Sequence, residues 1–585
     1  MQNRTVHHDV VVIGAGIGGL AAAKTYLELA PETDLVLLEA RETVGGVWAA
    51  ENCYDGLKTN NLRGTYEFTD FPMTDKYGIK QGQHIMGTAV HEYLTDFAHH
   101  FDLFRRIHFK VRVYEVEKLG LNEWRVLCRD VDALDGEPIY YHTNKLIVCN
   151  GLASNPNPVS IPGVADFGKP ILHHGQLREQ GAALANDPNV DHVTVIGASK
   201  TGYDAVYMLA AKGKQVDWVI RESGGGGVWM SPPWVNMGPS KVMLEHLATM
   251  RFMSWFSPCI WGDSDGYGWF RALLHGTWLG RLIVHYFWEK IRWDTVSGNG
   301  YRKEHVLAPL EPRESLFWSA RVGILNYASD IHQFLRTGQV RIIQKDISSL
   351  APKGTIIFAD GSTTQTSGLI AITGWKLSPT ILYKPIGIDA TLGIPSASYS
   401  PVESAFWSDL EDEADKHILT KFPYLANPPT AKLPYTQSVT PVRLYRGIAP
   451  PGLTTDGDRS LVFMKMVHST SNFIIAETQA LWSFAYLNNK LAIDESTVFQ
   501  DTARTSRFGK WRYPWGFSAW YPEFVYDAVP YADLLLNDLG LERYRKRNRR
   551  DGTGSLKEEL FTGYTVHDYK GLNGEWREGN WRIKA

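Results

Sequence analysis

The chain has 585 residues, 21% of them charged, and a formal net charge of -3. That length suggests two to four domains with material for a sizeable core, and so small a net charge offers no field to recruit nucleic acid or anionic lipid. Cys53, Cys128, Cys149 and Cys259 form no CxxC pair, which argues against a disulfide framework or a metal site and for a reducing, cytoplasmic setting.

Only about eight polar residues precede the first strand, which leaves no room for a signal peptide. Val10-Val11-Val12-Ile13 then runs into Gly14-Ala15-Gly16-Ile17-Gly18-Gly19, a pattern that reads as strand, tight turn and helix N-terminus. Gly14 allows the turn, Gly16 lets the backbone approach a pyrophosphate, and Gly19 lets the helix pack on the strand. The next strand, Leu35-Val36-Leu37-Leu38, ends at Glu39, about twenty residues past the last glycine, where an acid can bind a ribose diol. Together these features predict a dinucleotide site.

A second glycine turn follows in Arg41-Glu42-Thr43-Val44-Gly45-Gly46-Val47-Trp48, and after it come Leu57-Lys58-Thr59-Asn60-Asn61 and Phe68-Thr69-Asp70-Phe71-Pro72. A flat indole beside a glycine turn suits either an isoalloxazine neighbour or an ordinary core position. With the first glycine loop, these residues resemble the flavin-containing monooxygenases, most closely their fungal tailoring branch of secondary metabolism. The resemblance implies that Gly46, Val47 and Trp48 lie against FAD. It also implies that Asn60, rather than its neighbour Asn61, sits near the flavin C4a carbon and the nicotinamide, and that the Val113 backbone meets the adenine end.

Phe109 to Val116, Trp124 to Cys128 and Lys145 to Cys149 read as short strands, and Pro156, Pro158 and Pro162 then stiffen a connection. Beyond it the design repeats: Val193-Thr194-Val195-Ile196 leads into Gly197-Ala198-Ser199-Lys200-Thr201-Gly202, and a strand over Val216 to Ile220 ends at Arg221. Arginine in place of the acid, with Lys200 near the loop, would neutralise a 2′-phosphate and favour NADPH over NADH. The closing segments also echo one another, Leu146 to Gly151 and Leu369 to Gly374, so the second unit reads as inserted in the first.

Between the loops, the family's Phe-x-Gly-x-x-x-His-x-x-x-Tyr fingerprint is imperfect. Phe167 and His173 keep their spacing, but the glycine has moved to Gly168, Lys169 holds its place, and Leu177 replaces the terminal aromatic. His173 is expected to be structural. Ser223 to Ala320 reads as a large insertion that opens on Gly224 to Gly227, a flexible hinge, and holds nine of the twenty tryptophans. So aromatic a segment has rings to bury, either as helical core or subunit contact or as an apolar pocket or lid. Within it, Leu273 to Trp293 carries His275, Arg281, His285, Glu289 and Lys290. That is too many ionisable groups for a spanning helix, and the stretch is expected to be an amphipathic helix packed on the protein, with a surface-lipid role as the alternative.

Near the end, Leu461 to Met466 is an expected strand, and His468 to Asn472 offers capping side chains to a helix over Phe473 to Leu487. In the family a helix start hereabouts points at the flavin pyrimidine edge. The basic run Arg543 to Arg550 reads as a solvated helix end.

The expected fold is therefore α/β, with two dinucleotide-binding Rossmann-like domains and a helical, aromatic-rich insertion. The FAD domain spans 1–155 and 375–500, the NADPH domain 156–374 with the insertion at about 223–320, and a C-terminal extension 501–585. The resemblance implies that NADPH reduces FAD, that O2 adds to the flavin at C4a, and that the resulting (hydro)peroxide passes one oxygen atom to a bulky hydrophobic or aromatic small molecule. N- or S-oxygenation is the expected outcome, with Baeyer–Villiger oxygenation of a ketone as the alternative. A homo-oligomer is possible on this reading. A flavin disulfide reductase would need a cysteine pair after the first Gly-Gly turn, where this chain has Trp48 and the single Cys53. A non-catalytic flavoprotein would keep the fold but lose the second nucleotide site or oxygen reactivity.

Overall fold

A computed structural model describes residues 4–579, apart from 134, 153, 238–239, 377, 398, 430–438, 515–519 and 550–551. β1 (Arg4–Ile13) leads through the first glycine loop into α1 (Ile17–Leu29), and β2 (Leu35–Leu38) returns beside β1, pairing Val10 with Leu35 through Ile13 with Leu38. Central parallel strands are covered on both faces, which is why these runs are continuously apolar rather than alternating. β1 is longer than its apolar run because Arg4 to Thr5 and onward pair with the strand Ile139–Val148.

The first sheet has eight strands, ordered Leu382–Lys384, Val111–Gly120, Glu123–Asp130, Ile139–Val148, β1, β2, Ile107–His108, with Leu461–Phe463 also pairing to Ile139–Val148. The second has five, ordered Val340–Ile343, Gln215–Val219, His192–Ile196, Leu369–Ala371, Ile171–His173. The α/β class and the pair of Rossmann-like sheets agree with the sequence reading. The chain crosses between the sheets twice, and the two crossings lie side by side: Asn157 N–H donates to the Gly374 carbonyl and Lys376 N–H to that of Asn155.

The two units repeat one another in detail. Gly14 N–H donates to the Leu38 carbonyl (2.8 Å) and Gly197 N–H to that of Val219 (3.0 Å). A Cβ on Gly19 would stand 1.8 Å from the Gly14 carbonyl oxygen, and one on Gly202 2.3 Å from that of Gly197. In both units this last glycine is therefore demanded by helix–strand packing alone.

Of the nine tryptophans in the insertion, Trp229, Trp255, Trp261, Trp288 and Trp318 are buried, while Trp234, Trp269, Trp278 and Trp293 are exposed. Gly224 to Gly227 is not a free hinge. Arg313 Nη1 donates to the Glu222 and Gly224 carbonyls and Arg321 Nη2 to that of Gly225. The insertion is bolted to the C-terminal part through Arg251, whose guanidinium is fully buried against Asp533, Glu559 (2.5 Å) and Asp265. Removing only this cation leaves Asp533 and Glu559 buried without counter-charge, while Asp265 keeps Arg271. Arg251→Met is expected to destabilise the protein by about 3–5 kcal/mol, read as a lowered unfolding midpoint in denaturant.

The basic run is not a solvated helix end. Arg545 pairs with Glu575 and Lys546 with Asp568, all four side chains largely buried, and Arg543 donates to the Ser264 carbonyl. Arg550 lies outside the described residues.

Candidate active site

Glu39 is buried at the end of β2. Its Oε2 accepts from Ala15 N–H (2.8 Å) and its Oε1 from Arg41 N–H (2.9 Å), so one carboxylate spans the first glycine loop and the chain leading to the second. Gly45 N–H donates to the Ala15 carbonyl (3.0 Å), which brings Gly46 against Gly16. Gly16 itself has extended backbone (φ −80°, ψ −174°), and a Cβ there would find nothing nearer than 3.6 Å. Unlike Gly14 and Gly19, it has no steric reason within the protein to be glycine. No side chain caps α1, and no acid lies in its first turn. This open, uncapped helix start fits a dinucleotide pyrophosphate.

Val47 is exposed, and Trp48 is half-buried with its indole N–H donating to Tyr66 Oη (2.8 Å). Val113 is buried in the strand Val111–Gly120, opposite Cys128.

Asn60 and Asn61 lie on β3 (Lys58–Leu62) with opposite fates. Asn61 is buried and donates to Glu245 and to the Thr470 carbonyl. Asn60 is exposed toward a cleft, its Oδ1 accepting from Ile324 N–H (3.3 Å). The same strand is stitched to the second unit, since Lys58 Nζ donates to the Asn326 carbonyl and Asn326 Nδ2 to that of Thr59. Asn60 therefore stands on the seam between the two sheet units.

In the second unit, Ser199 occupies the N-cap of the helix Lys200–Ala211, but no side chain caps it and its first turn has no acid. Thr201 and Gly202 lie in that turn. Lys200 is committed: its ammonium pairs with Asp204, which also accepts from Tyr54 Oη and Tyr327 Oη (2.8 Å each). Asp204 thereby ties Tyr54 of the first unit to the second. Arg221 is exposed and makes no ion pair among the described residues, so it is the more available cation of the two.

His173 caps a short helical turn, accepting from Gly175 N–H (3.0 Å) while Gln176 accepts from its own N–H. His174 is packed on Trp375, and burial pushes its pKa down to about 4.

A cleft opens beside Asn60. Phe287, Trp288 and Leu316 of the insertion form its apolar wall, and His468 to Thr470 with Asn472 its other side. The insertion thus supplies both buried core and pocket wall. Glu245 also lines the cleft, accepting from Asn61 Nδ2, Leu62 N–H and Thr65 Oγ1, and its burial raises its pKa.

Two further residues carry weight that the sequence did not signal. Glu245 fastens the insertion to the Asn60 strand. Lys465, in left-handed backbone (φ +60°), sends its ammonium to Asn472 Oδ1 (2.8 Å), and its Cγ would meet a Cβ on Gly18 at 2.8 Å. Burial pushes its pKa down to about 7, and among the described residues no carboxylate pairs with it. The helix Asn472–Leu487 begins here without a side-chain cap, contrary to the expectation for His468 to Ser471.

Two glycine-loop units meeting at one seam define a two-dinucleotide oxidoreductase. The pattern of the family described as flavin-binding monooxygenase-like matches residues 7–258. The FAD-dependent monooxygenase rstn6 of Aspergillus nomiae is 33% identical over 97% of this chain and 98% of that protein. An FAD-dependent monooxygenase of Pyrenophora dematioidea is 34% identical over 92% of this chain and 99% of that one. A solved steroid monooxygenase bound to NADP shares the fold with a TM-score of 0.58 at 17% identity, covering 92% of this chain and 99% of that one. The chain belongs to the flavin-binding monooxygenase-like family and is an FAD-dependent monooxygenase.

Proposed function

We propose that this enzyme uses NADPH, FAD and O2 to transfer one oxygen atom to a bulky hydrophobic or aromatic small molecule by N- or S-oxygenation. The observation that carries the reading is the position of Asn60, on the seam of the two units and at the floor of an apolar cleft. Bound FAD would accept a hydride from the nicotinamide and activate oxygen. Gly14, Gly16, Gly19 and Glu39 would hold its pyrophosphate and ribose, with Gly46, Val47 and Trp48 beside it, Val113 toward the adenine and Lys465 toward an anionic group. Gly197, Ser199, Lys200, Thr201 and Gly202 would hold NADPH, with Arg221 reading the 2′-phosphate. Asn60 would orient the reacting groups by hydrogen bonds, and the aromatic wall would exclude water.

Attack on a ketone carbonyl builds negative charge on the substrate oxygen, and a cation beside it would help. No lysine or arginine lines the cleft among the described residues, and its carboxylate, Glu245, has a raised pKa. That supports the electrophilic outcome over Baeyer–Villiger chemistry. The four free cysteines suit the cytoplasm.

The test is anaerobic reduction of the FAD-loaded enzyme by NADPH, with NADH for comparison, followed by oxygen and measurement of H2O2 per NADPH oxidised. NADPH should bleach the flavin faster than NADH. Asn60→Ala should raise the fraction of reducing equivalents lost as H2O2 while leaving the flavin bound. A flavin that NADPH does not bleach would sink the reading.

A further inference from the structure

Among the described residues no helix is long and apolar enough to cross a membrane, yet one part of the insertion has the composition of an interfacial anchor. The helices Gly268–Gly276 and Trp278–Asn299 form a hairpin around Thr277, whose hydroxyl accepts from Gly280 N–H (3.0 Å). A Cβ on Gly280 would lie 2.2 Å from the Leu273 carbonyl oxygen, so the two helices cross closely at a built corner. The inner face of the hairpin is fully accounted for. Leu274, Val284 and Trp288 are buried, Trp288 Nε1 donates to the Phe256 carbonyl (2.9 Å), and His275 bridges the Trp255 carbonyl and Tyr424 Oη.

The outer face is exposed, as an amphipathic helix packed by one side leaves it. Trp278 is 73% exposed, Trp269 69%, Tyr286 65% and Trp293 61%, with Leu273, Leu279, Leu282 and Ile283 between 41% and 52%. Apolar residues exposed singly are ordinary on a soluble protein, whereas a cluster of them on one hairpin marks an interaction surface. Tryptophan and tyrosine, each with an apolar body and a polar tip, are the residues favoured at a bilayer surface.

The charges decide between possible occupants. The hairpin's two carboxylates, Glu289 and Asp294, are each paired within their own helix, with Arg292 and Lys290, and none lies between Gly266 and Trp288. Arg271 in this stretch is spent on Asp265, but Arg281 donates only to the Gly276 carbonyl and His285 is exposed. In a two-fold dimer through this face the same patch would meet itself, setting Arg281 and His285 against a partner hairpin whose carboxylates already have their cations. An anionic phospholipid surface supplies the missing counter-charge along with the apolar layer. The chain's small net charge conceals this, because the hairpin's excess of basic over acidic residues is averaged over the whole chain.

We propose that the Gly268–Asn299 hairpin docks the enzyme on anionic phospholipid membranes as an interfacial, non-spanning anchor, with Trp269, Trp278, Ile283 and Tyr286 entering the headgroup layer.

The test is co-sedimentation of full-length, FAD-loaded enzyme with vesicles of phosphatidylcholine alone and of phosphatidylcholine mixed with phosphatidylglycerol, alongside sedimentation velocity without lipid. Binding to the mixed vesicles should be tighter. The double variant Trp278→Asp, Ile283→Asp should lose at least tenfold in vesicle affinity while retaining its flavin content and unfolding temperature. Arg281→Glu should weaken binding to the mixed vesicles about fivefold or more and leave binding to phosphatidylcholine unchanged. Absence of binding to either vesicle would overturn the proposal. So would a concentration-dependent dimer that the double variant dissociates, which would make the face an interface between two copies.

Discussion

Gly16→Ala is expected to fold like the parent chain but to purify without flavin, whereas Gly19→Ala is expected to be strongly destabilised in the fold itself. The two positions lie in one loop, yet different neighbours require them to be glycine. A Cβ on Gly19 would stand 1.8 Å from the Gly14 carbonyl oxygen, so α1 must lift off β1 or the turn must distort. Overpacking of that kind costs about 3 kcal/mol, and the nucleotide site depends on the turn that moves. At Gly16 the backbone is extended, alanine is allowed, and the nearest protein atom to a Cβ is 3.6 Å away. Loss of the glycine N-cap costs about 1 kcal/mol or less. What a methyl group there would meet is the pyrophosphate, whose close approach the glycine permits, and FAD affinity should fall about 100-fold or more, equivalent to about 2.7 kcal/mol. The flavin-to-protein ratio after purification and the thermal unfolding of flavin-free protein separate the two effects. A Gly16→Ala enzyme that retains stoichiometric flavin would show that the pyrophosphate is held elsewhere.

Replacing Lys465 by methionine is expected to weaken FAD binding about 10- to 100-fold and to abolish its pH dependence above neutrality. The Lys465 side chain runs past Gly18 at the start of α1, where its Cγ lies, and carries its ammonium to Asn472 at the start of the helix Asn472–Leu487. Both helix starts are uncapped and free of acids. Burial depresses the lysine pKa to about 7. An anionic flavin group arriving there stabilises the ammonium and raises that pKa, so binding takes up a proton in the interval between about pH 7 and the pKa in the complex. Linkage then requires the affinity to fall as pH rises through that interval, by at most about tenfold per unit. For folding of the flavin-free chain the sign is opposite. The unfolded lysine, titrating near 10.4, holds a proton that the folded one has released, so stability rises with pH from about 7 toward 10. Titration of FAD binding by fluorescence at several pH values, on both proteins, reads the effect. Parallel slopes for parent and variant would remove Lys465 from the flavin site.

The parts legible from the chain are those set by near neighbours. Val10 to Ile13, Gly14 to Gly19 and Glu39 are joined by backbone bonds, by a glycine clash and by one carboxylate reaching 24 residues back to Ala15. The same demands recur at Gly197 and Gly202, which is why the second unit could be recognised and its strand ends placed. The distinction between Asn60 and Asn61 came from the family resemblance; both border the cleft, Asn60 accepting from Ile324 N–H and Asn61 donating to Glu245.

The rest depended on residues far apart in the chain. Glu245 is 184 positions from Asn61, and Arg251 is 282 from Asp533. A lone carboxylate or a basic run carries no mark of the partner it will meet, so Glu245 was overlooked and Arg543 to Arg549 looked solvated. Lys465 drew no attention because its position becomes unusual only when two helix starts converge on it. The aromatic insertion likewise left core, pocket and surface unresolved. Its composition guaranteed that rings would be buried, but the crossing at Gly280 divides the hairpin into a face that walls the cleft and a face that meets solvent. Local sequence determined the two nucleotide-binding units, because turns and parallel strands obey steric and hydrogen-bond rules among near neighbours. Tertiary structure decided the cleft, the buried ion pairs and the outward apolar face, because burial and charge pairing depend on what the folded chain brings alongside.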